Sequence, residues 1–296
     1  MNHFRNQAEP LILVTNDDGI QSPGLLAAIK AVHGLGRIVV VAPTTQQTSR
    51  GRGMVGDFTD VLHRVEDLLE HDPSLEAYHI EASPALAVQH AMNTIFHDRW
   101  PDLVLSGVNY GENLGMDITI SGTVGAAFQA AAYGIPAVAA SQEVDVAHHY
   151  HYGEVDWEGS TRVVRSYVER LLARLADLPE PVAPAGRARL EEPRPFPFDV
   201  LKIDVPAACP PGTPERLSRL ARRHYFIYAI DQPTPESPIG AGRTRVDEEP
   251  YLIRPGDDIH ALAHEHSVAV TPLVLDFTAP LEASARSLGL DDTPPG

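Results

Sequence analysis

The sequence predicts an α/β protein in which a mostly parallel sheet is flanked by helices. Residues 11–15 and 37–43 are continuous apolar runs, which are typical of strands covered on both faces. Between them, Ser22-Pro23 indicates a helix start, and apolar side chains follow at helical spacing up to Gly34. A strand–helix–strand order of this kind predicts a βαβ unit in a parallel sheet.

The next segments repeat this alternation. They comprise extended segments near 57–65 and 76–81, a helix that begins at Ser83-Pro84, a strand at 101–107, a long loop at 108–120, an alanine-rich helix at 121–134 and a strand at 135–141.

The second half of the chain is less regular. Residues 157–178 form a strongly amphipathic pattern that predicts a helix, and the segment 179–197, rich in proline, alanine and arginine, predicts a surface loop. We expect further strands at 199–206 and 267–273, and two strands of a β-arm at 224–230 and 249–255.

Composition and charge argue against some classes of binding partner. The 296 residues contain 43% hydrophobic residues, one cysteine (Cys209) and a net charge of −17. There is no apolar run of about 18 residues and no secretory leader pattern, so we expect no membrane partner and a cytoplasmic location. The acidic balance argues against a nucleic acid partner, but a small anion held locally is compatible with it.

Three polar, glycine-bearing loops follow predicted parallel strands and therefore share one edge of the sheet, where ligands bind in open α/β folds. They contain Asn16-Asp17-Asp18-Gly19, residues 44–53 and residues 106–109. Adjacent carboxylates repel one another, and a hard cation such as Mg²⁺ or Mn²⁺ would remove that repulsion. The alternative is a turn in which both acids are solvated or cap the following helix.

Two further segments contain polar residues with a possible function. Ser121-Gly122-Thr123 opens a helix whose free amides suit a phosphate, although Ser121 or Thr123 as a simple N-cap explains the same pattern. His148, His149 and His151 are close in sequence, and we expect an exposed loop there in preference to a metal site.

Several of these stretches together resemble the SurE family, the stationary-phase survival proteins that act as metal-dependent nucleotidases. The resemblance is carried by LVTNDDGIQSPG, VVVAP, SPALAVQHAM, DLVLSGVNYGENLGMDITISGTVGAA, GIPAVAAS, KIDVP and VTPL, in the family's order, at 13–24, 39–43, 83–92, 102–127, 134–141, 202–206 and 270–273. It implies a Rossmann-like domain with a protruding β-arm and a C-terminal extension. We accordingly divide the chain into a catalytic domain at 1–206 and an arm, oligomerisation region and tail at 207–296.

The resemblance also implies the site. The metal ligands match Asp17, Asp18 and Asn109, and the family's serine falls on Thr48, with Ser49 as the alternative. The phosphate and substrate pocket matches Asn113, Gly115, Ser121, Gly122 and Thr123, and we place Asn16 with them. Asp17 and Asp18 are then the candidate catalytic residues, with one divalent cation, Mg²⁺ or Mn²⁺, per subunit.

The implied activity is hydrolysis of nucleoside 5′- and 3′-monophosphates, and in some members of short polyphosphate, by a homodimer or homotetramer. The sequence departs from the family at Thr48, at Ile120, where an aromatic residue is usual, and before the last strand, where Gly-Tyr is missing. Two rivals remain: a non-catalytic nucleotide-binding or regulatory protein that kept the pocket, and an enzyme in which Asp17 is a covalent nucleophile.

Overall fold

A computed structural model of the chain describes residues 9–66, 68, 75–149, 152–177, 195–247 and 254–289. In these residues, nine strands form one sheet and two form a separate ribbon. The strands are β1 (Leu11–Thr15), β2 (Arg37–Pro43), β3 (His63–Val65), β4 (Leu75–Ile80), β5 (Leu103–Tyr110), β6 (Ala137–Gln142), β7 (Val200–Val205), β8 (Glu215–Leu217), β9 (Phe226–Ala229), β10 (Arg243–Val246) and β11 (Val268–Leu273).

The large sheet has the order β3-β4-β2-β1-β5-β6-β7-β11-β8, and its six central strands, from β4 to β7, are mutually parallel. The chain runs outward from β1 to β4 and then returns to β5 on the other side of β1. This reversal opens a crevice between the carboxyl ends of β1 and β5, where open α/β sheets bind their ligands. The predicted mostly parallel, Rossmann-like fold is confirmed.

Helices cover both faces of this sheet. They are α1 (Pro23–Val32), α2 (Pro84–Thr94), α3 (Gly122–Ala132), α4 (Glu158–Ala176) and the C-terminal α5 (Leu281–Leu288). The apolar sides of α1 and α4 pack on one face, and those of α2 and α3 pack on the other. The helix start predicted at Ser22 is present, because the Ser22 hydroxyl accepts a hydrogen bond from the Gly24 amide at 3.2 Å.

The arm differs from the prediction in its second strand. β9 pairs antiparallel with β10, so that Phe226 faces Val246, whereas we expected the partner strand at 249–255. Most of that segment, residues 249–253, lies outside the described residues, as do residues 179–194 of the predicted proline-rich loop. β11 pairs antiparallel with β7, so the final strand belongs to the same sheet as the first part of the chain.

Two further differences concern local structure. The predicted loop at 108–120 is shorter than expected, because β5 continues through Tyr110 and Gly115–Thr119 forms a 3₁₀ helix. Neither the short strand β8 nor the helix α5 was predicted, and neither contains a buried residue. None of the helices in the described ranges is long and apolar enough to span a bilayer.

Candidate active site

The acidic pair lies in a tight turn directly after β1. The Asn16 side chain closes this turn, because its amide donates to the Gly19 carbonyl at 3.0 Å and its oxygen accepts from the Gly19 amide at 3.2 Å. Gly19 has a φ of 101°, a conformation that glycine adopts without strain. The turn leaves the carboxyl groups of Asp17 and Asp18 buried at the edge of the sheet, with exposures of 4% and 1%.

Asp17 is held by the N-terminus of α3. The Thr123 hydroxyl donates to its Oδ1, and the backbone amides of Gly122 and Thr123 donate to the same carboxylate. Gly122 permits this approach, since a Cβ at that position would lie 2.7 Å from Asp17 Oδ2. Burial nevertheless raises the pKa of Asp17 to about 6, because the hydrogen bonds only partly offset desolvation.

Asp18 is held by different donors. Gln46 Nε2 lies 3.1 Å from Oδ1, and the Tyr110 amide lies 3.1 Å from Oδ2. Burial, followed by the neighbouring charge of Asp17, raises the pKa of Asp18 well above its usual value. Two desolvated, mutually repelling carboxylates are favourable when a cation lies between them.

A bulge in β5 brings Asn109 to the same edge. Ser106 pairs with Ala139 and Asn109 pairs with Ser141, so β5 carries one extra residue at this point. A bulge of this kind redirects the following side chain. The Asn109 amide nitrogen donates to the Gly111 carbonyl at 2.6 Å, which leaves Oδ1 as the atom able to bind a cation.

The loop after β2 supplies the remaining residues at this edge of the sheet. The Gln47 amide donates to the Asp17 carbonyl at 2.6 Å, and Thr48 and Ser49 follow, the first half-buried and the second exposed. In the described part of the chain, no three His, Cys, Asp or Glu residues form a metal-binding group. The available donors are therefore two carboxylates with neutral amide and hydroxyl oxygens, a set that fits Mg²⁺ or Mn²⁺ and not a softer metal.

These residues border a cavity of about 670 Å³ that extends to the arm. Asp17, Thr48, Ser49 and Asn109 line one end of the cavity. None of the described residues that line it is lysine or arginine, and three of them, including Asp17, are acidic. A phosphate dianion in this cavity has no lysine or arginine to neutralise it, and a bound cation would supply the missing positive charge.

A buried ion network supports the loop at 111–115 from behind. Lys202 Nζ contacts Asp204 Oδ2 and lies 3.1 Å from Asp258 Oδ2, and all three side chains are fully buried. Asp204 Oδ1 accepts from the Asn113 amide at 2.7 Å, and Asp258 Oδ2 accepts from the Gly115 amide at 3.0 Å. The network thus fixes the backbone of the loop that borders the cavity.

Comparisons with known proteins identify the family of this chain. The profile of the family described as "Survival protein SurE" matches residues 12–226. The chain belongs to the SurE family.

Relatives match it over nearly the whole length. The 5′-nucleotidase SurE of Methanocella arvoryzae is 37% identical over 276 residues, which cover 90% of this chain and 93% of the relative. The protein of the same name from Thermococcus kodakarensis is 37% identical over 274 residues, with coverages of 90% and 93%. The crystal structure of the SurE protein from Aquifex aeolicus superimposes with a TM-score of 0.67 at 27% identity, covering 95% of this chain and all of that one (100%).

The predicted site residues of this SurE-family chain fall into two groups. The first group lines the cavity and comprises Asp17, Thr48, Ser49, Asn109, Asn113 and Ser121. The second group lies behind it and comprises Asn16, Asp18, Gly115, Gly122 and Thr123. Members of the second group hold the first in place: Asn16 shapes the turn, and Gly122 and Thr123 donate to Asp17. Ser121 also caps α3, because its hydroxyl accepts from the Val124 amide at 3.1 Å.

The sequence interpretation missed the opposite side of the cavity. Glu112, His149 and Phe226 line it, although none was a candidate. We expected His149 in an exposed loop, but its ring is largely buried against Gly111 and Phe226. Glu112 lies inside the glycine-rich segment that carries the resemblance and could have been singled out there. The sequence around residues 149 and 226 gives no sign of their contact, because that contact depends on how the arm folds against the rest of the chain.

Glu112 makes stability depend on pH in a defined direction. Burial raises its pKa from 4.5 to about 8, so the folded protein holds a proton that the unfolded chain releases near 4.5. The free energy of unfolding should therefore fall by about 2–4 kcal/mol as the pH rises from 5 to 8.5. Denaturant titrations of metal-free Glu112→Gln should show a shallower fall, and the exposed Glu81→Gln should keep the wild-type slope. Equal slopes in all three proteins would contradict a buried, neutral Glu112.

Proposed function

We propose that this chain is a metal-dependent phosphomonoesterase that hydrolyses nucleoside 5′- and 3′-monophosphates to nucleoside and phosphate. The observation that carries the proposal is the buried Asp17–Asp18 pair beside a cavity whose described lining has no lysine or arginine. Paired carboxylates indicate that the positive charge is supplied by a cation. The names of the relatives, 5′-nucleotidase SurE, support the same substrate class.

We assign one divalent cation, Mg²⁺ or Mn²⁺, per subunit to Asp17, Asp18, Asn109 and a hydroxyl of Thr48 or Ser49. When bound, the cation supplies Lewis-acid polarisation of the phosphoryl group and neutralises its developing charge. The N-terminus of α3 keeps Asp17 oriented through Thr123 and Gly122. Ser121 and Asn113 border the cavity and are the assigned phosphate contacts.

The test is phosphate release by the purified full-length chain. With Mn²⁺ or Mg²⁺, we expect turnover of nucleoside monophosphates, and EDTA should abolish it. The competing function is a nucleotide-binding protein without catalysis, which the Thr48 departure favours. If the chain binds nucleotide but releases no phosphate with any of several divalent cations, it is a nucleotide-binding protein and not an enzyme.

The hydroxyl ligand is tested by a matched pair of variants. Thr48 is half-buried, whereas Ser49 is exposed and has a φ of 62°, so we assign the ligand to Thr48. Thr48→Val keeps the shape and removes the hydroxyl, and it should lower kcat/KM at limiting Mn²⁺ by about 10-fold or more. Thr48→Ser should restore activity, and Ser49→Ala should remain near wild type. If Ser49→Ala lowers kcat/KM and Thr48→Val does not, the ligand is Ser49.

The expected assembly is a homodimer or homotetramer, and the expected location is the cytoplasm. Ile239, between β9 and β10 of the arm, is 91% exposed in the single chain and is our candidate contact for this association. Light scattering of the purified chain measures the assembly directly.

A further inference from the structure

A short part of the chain between β6 and α4 contacts Asp18. We define its residues His149, Tyr152 and Gly153 as the clamp. The Tyr152 hydroxyl donates to the backbone carbonyl of Asp18 at 2.6 Å. Burial, and then the charge of Asp18, raise the pKa of Tyr152, so this hydroxyl stays protonated at neutral pH and remains a donor. The clamp therefore holds the backbone of the acidic pair directly.

Gln46 joins the Asp18 carboxylate to the clamp. Its Nε2 donates to Asp18 Oδ1 at 3.1 Å and to the His149 carbonyl at 2.8 Å. A backbone carbonyl can only accept a hydrogen bond, so Nε2 and not Oε1 of the Gln46 amide must face it. Both N–H groups of Gln46 are then used, one on each acceptor, and rotation of the amide would break both bonds.

Tyr110 makes the same connection on the other side of the carboxylate. Its amide donates to Asp18 Oδ2 at 3.1 Å, and its hydroxyl donates to the Gly153 carbonyl at 3.2 Å. The Tyr110 ring also packs against the Tyr152 ring, with centroids 5.6 Å apart. Gln46 and Tyr110, which donate to the two oxygens of Asp18, are therefore both anchored on the clamp.

These contacts fix the direction of the Asp18 carboxylate. With a donor on each oxygen, the group is held against rotation about its Cβ–Cγ bond, and each oxygen keeps a lone pair for a cation. A ligand that is already oriented loses little conformational freedom when it binds the cation. Residues that orient metal ligands in this way typically change metal affinity by about 10- to 100-fold.

We propose that Gln46, Tyr110 and Tyr152 are positioning residues that set the affinity of the site for its divalent cation by holding Asp18 against the clamp. This inference rests on the proposed function, because it takes Asp18 as a ligand of Mg²⁺ or Mn²⁺. The clamp serves Asp18 as the N-terminus of α3 serves Asp17. Gln46 and Tyr152 lie 28 and 134 residues from Asp18 in the sequence, so only the fold brings them to it.

The competing explanation is that these hydrogen bonds only stabilise the fold. In that case, variants that lack them should have a lower free energy of unfolding, but the folded protein should bind the cation with an unchanged Kd. The two explanations therefore differ in metal affinity, which can be measured without substrate or turnover.

The test is Mn²⁺ binding to the full-length chain, followed by electron paramagnetic resonance of the free ion. Gln46→Met keeps the length of the side chain and removes both N–H donors, and it should raise the Kd for Mn²⁺ by about 10-fold or more. Tyr152→Phe removes one hydroxyl and should raise the Kd by about 3-fold or more. At saturating Mn²⁺, the kcat of Tyr152→Phe should stay within about 2-fold of wild type, because the defect is in binding the cation.

Gln21→Met and Tyr167→Phe are the matched controls, and both should keep the wild-type Kd. Gln21 is exposed, and the Tyr167 hydroxyl donates to Glu215 at 2.6 Å and takes no part in holding Asp18. Urea denaturation of each variant measures the stability of the fold separately. If Gln46→Met does not fold, Tyr152→Phe carries the test.

Folded Gln46→Met and Tyr152→Phe variants that bind Mn²⁺ as tightly as wild type would overturn the inference and leave the metal-dependent enzyme intact. A wild-type chain that binds neither Mn²⁺ nor Mg²⁺ would instead remove the proposed function itself. The two failures are therefore distinguishable.

Discussion

Asp17→Asn should lower metal-dependent phosphate release by at least about 10³-fold, because it removes a charged ligand and with it several kcal/mol of electrostatic stabilisation. The same variant should fold normally. Asparagine retains an oxygen that can accept from the Thr123 hydroxyl, and it removes a charge that repels Asp18. A large loss of activity without a loss of stability is the signature of a ligand residue.

The pKa of Asp17 determines whether Asp17→Asn raises or lowers the free energy of unfolding. The folded pKa is about 6 and the ordinary value is 3.8, so the folded state favours the protonated acid and loses stability as the pH rises through this range. Neutral asparagine does not incur that loss. Metal-free Asp17→Asn should therefore be as stable as wild type at pH 8, or more stable by up to about 2 kcal/mol.

The control for this experiment is Asp98→Asn, since the Asp98 side chain is 88% exposed. It should leave both phosphate release and the denaturation midpoint unchanged. Retained metal-dependent turnover in Asp17→Asn would show that the reaction occurs elsewhere. Mn²⁺ should raise the melting temperature of wild type and raise that of Asp17→Asn much less, which separates a binding defect from a later one.

The first part of the sheet was predictable because β1 and β2 are continuous apolar runs, and because α1, α2 and α3 each follow a serine that precedes proline or glycine. At Ser22 and at Ser121, the apolar periodicity and the capping residue predicted the same helix start, and each serine is a helix N-cap in the structure. The second arm strand was not predictable in this way. β10 reads Arg243–Val246, in which exposed polar residues leave no alternating apolar pattern.

At the site, sequence reasoning recognised residues whose chemistry is visible locally, such as the adjacent acids. It did not recognise what holds them. The amides of Gly122 and Thr123, considered for phosphate, donate to Asp17, and this depends on a contact across about a hundred residues of chain. His149 and Phe226 meet only because the arm folds back over the edge of the sheet. Contacts of that kind leave no periodic signal.

Lys202 is a further residue whose importance is invisible in sequence, and Lys202→Met should destabilise the fold by about 3–5 kcal/mol. A lysine in the strand KIDVP looks like a solvated strand residue, yet its side chain is fully buried. Burial opposes its charge, and the carboxylates of Asp204 and Asp258 outweigh that effect, so the pKa of Lys202 is raised. Methionine fills the volume but leaves two buried carboxylates without a cation.

Urea denaturation measures this effect, and Lys30→Met, at an exposed position on α1, is the matched control with an expected change below about 1 kcal/mol. The double variant Lys202→Met with Asp204→Asn removes one uncompensated charge and should recover part of the loss. Asparagine still leaves an acceptor for the Asn113 amide, which donates to Asp204 Oδ1, whereas Oδ2 contacts Lys202. If the double variant is less stable than Lys202→Met alone, charge compensation is not what Lys202 contributes. If it recovers, the loop that borders the substrate cavity is held by a charge pair, and activity should recover in parallel with stability.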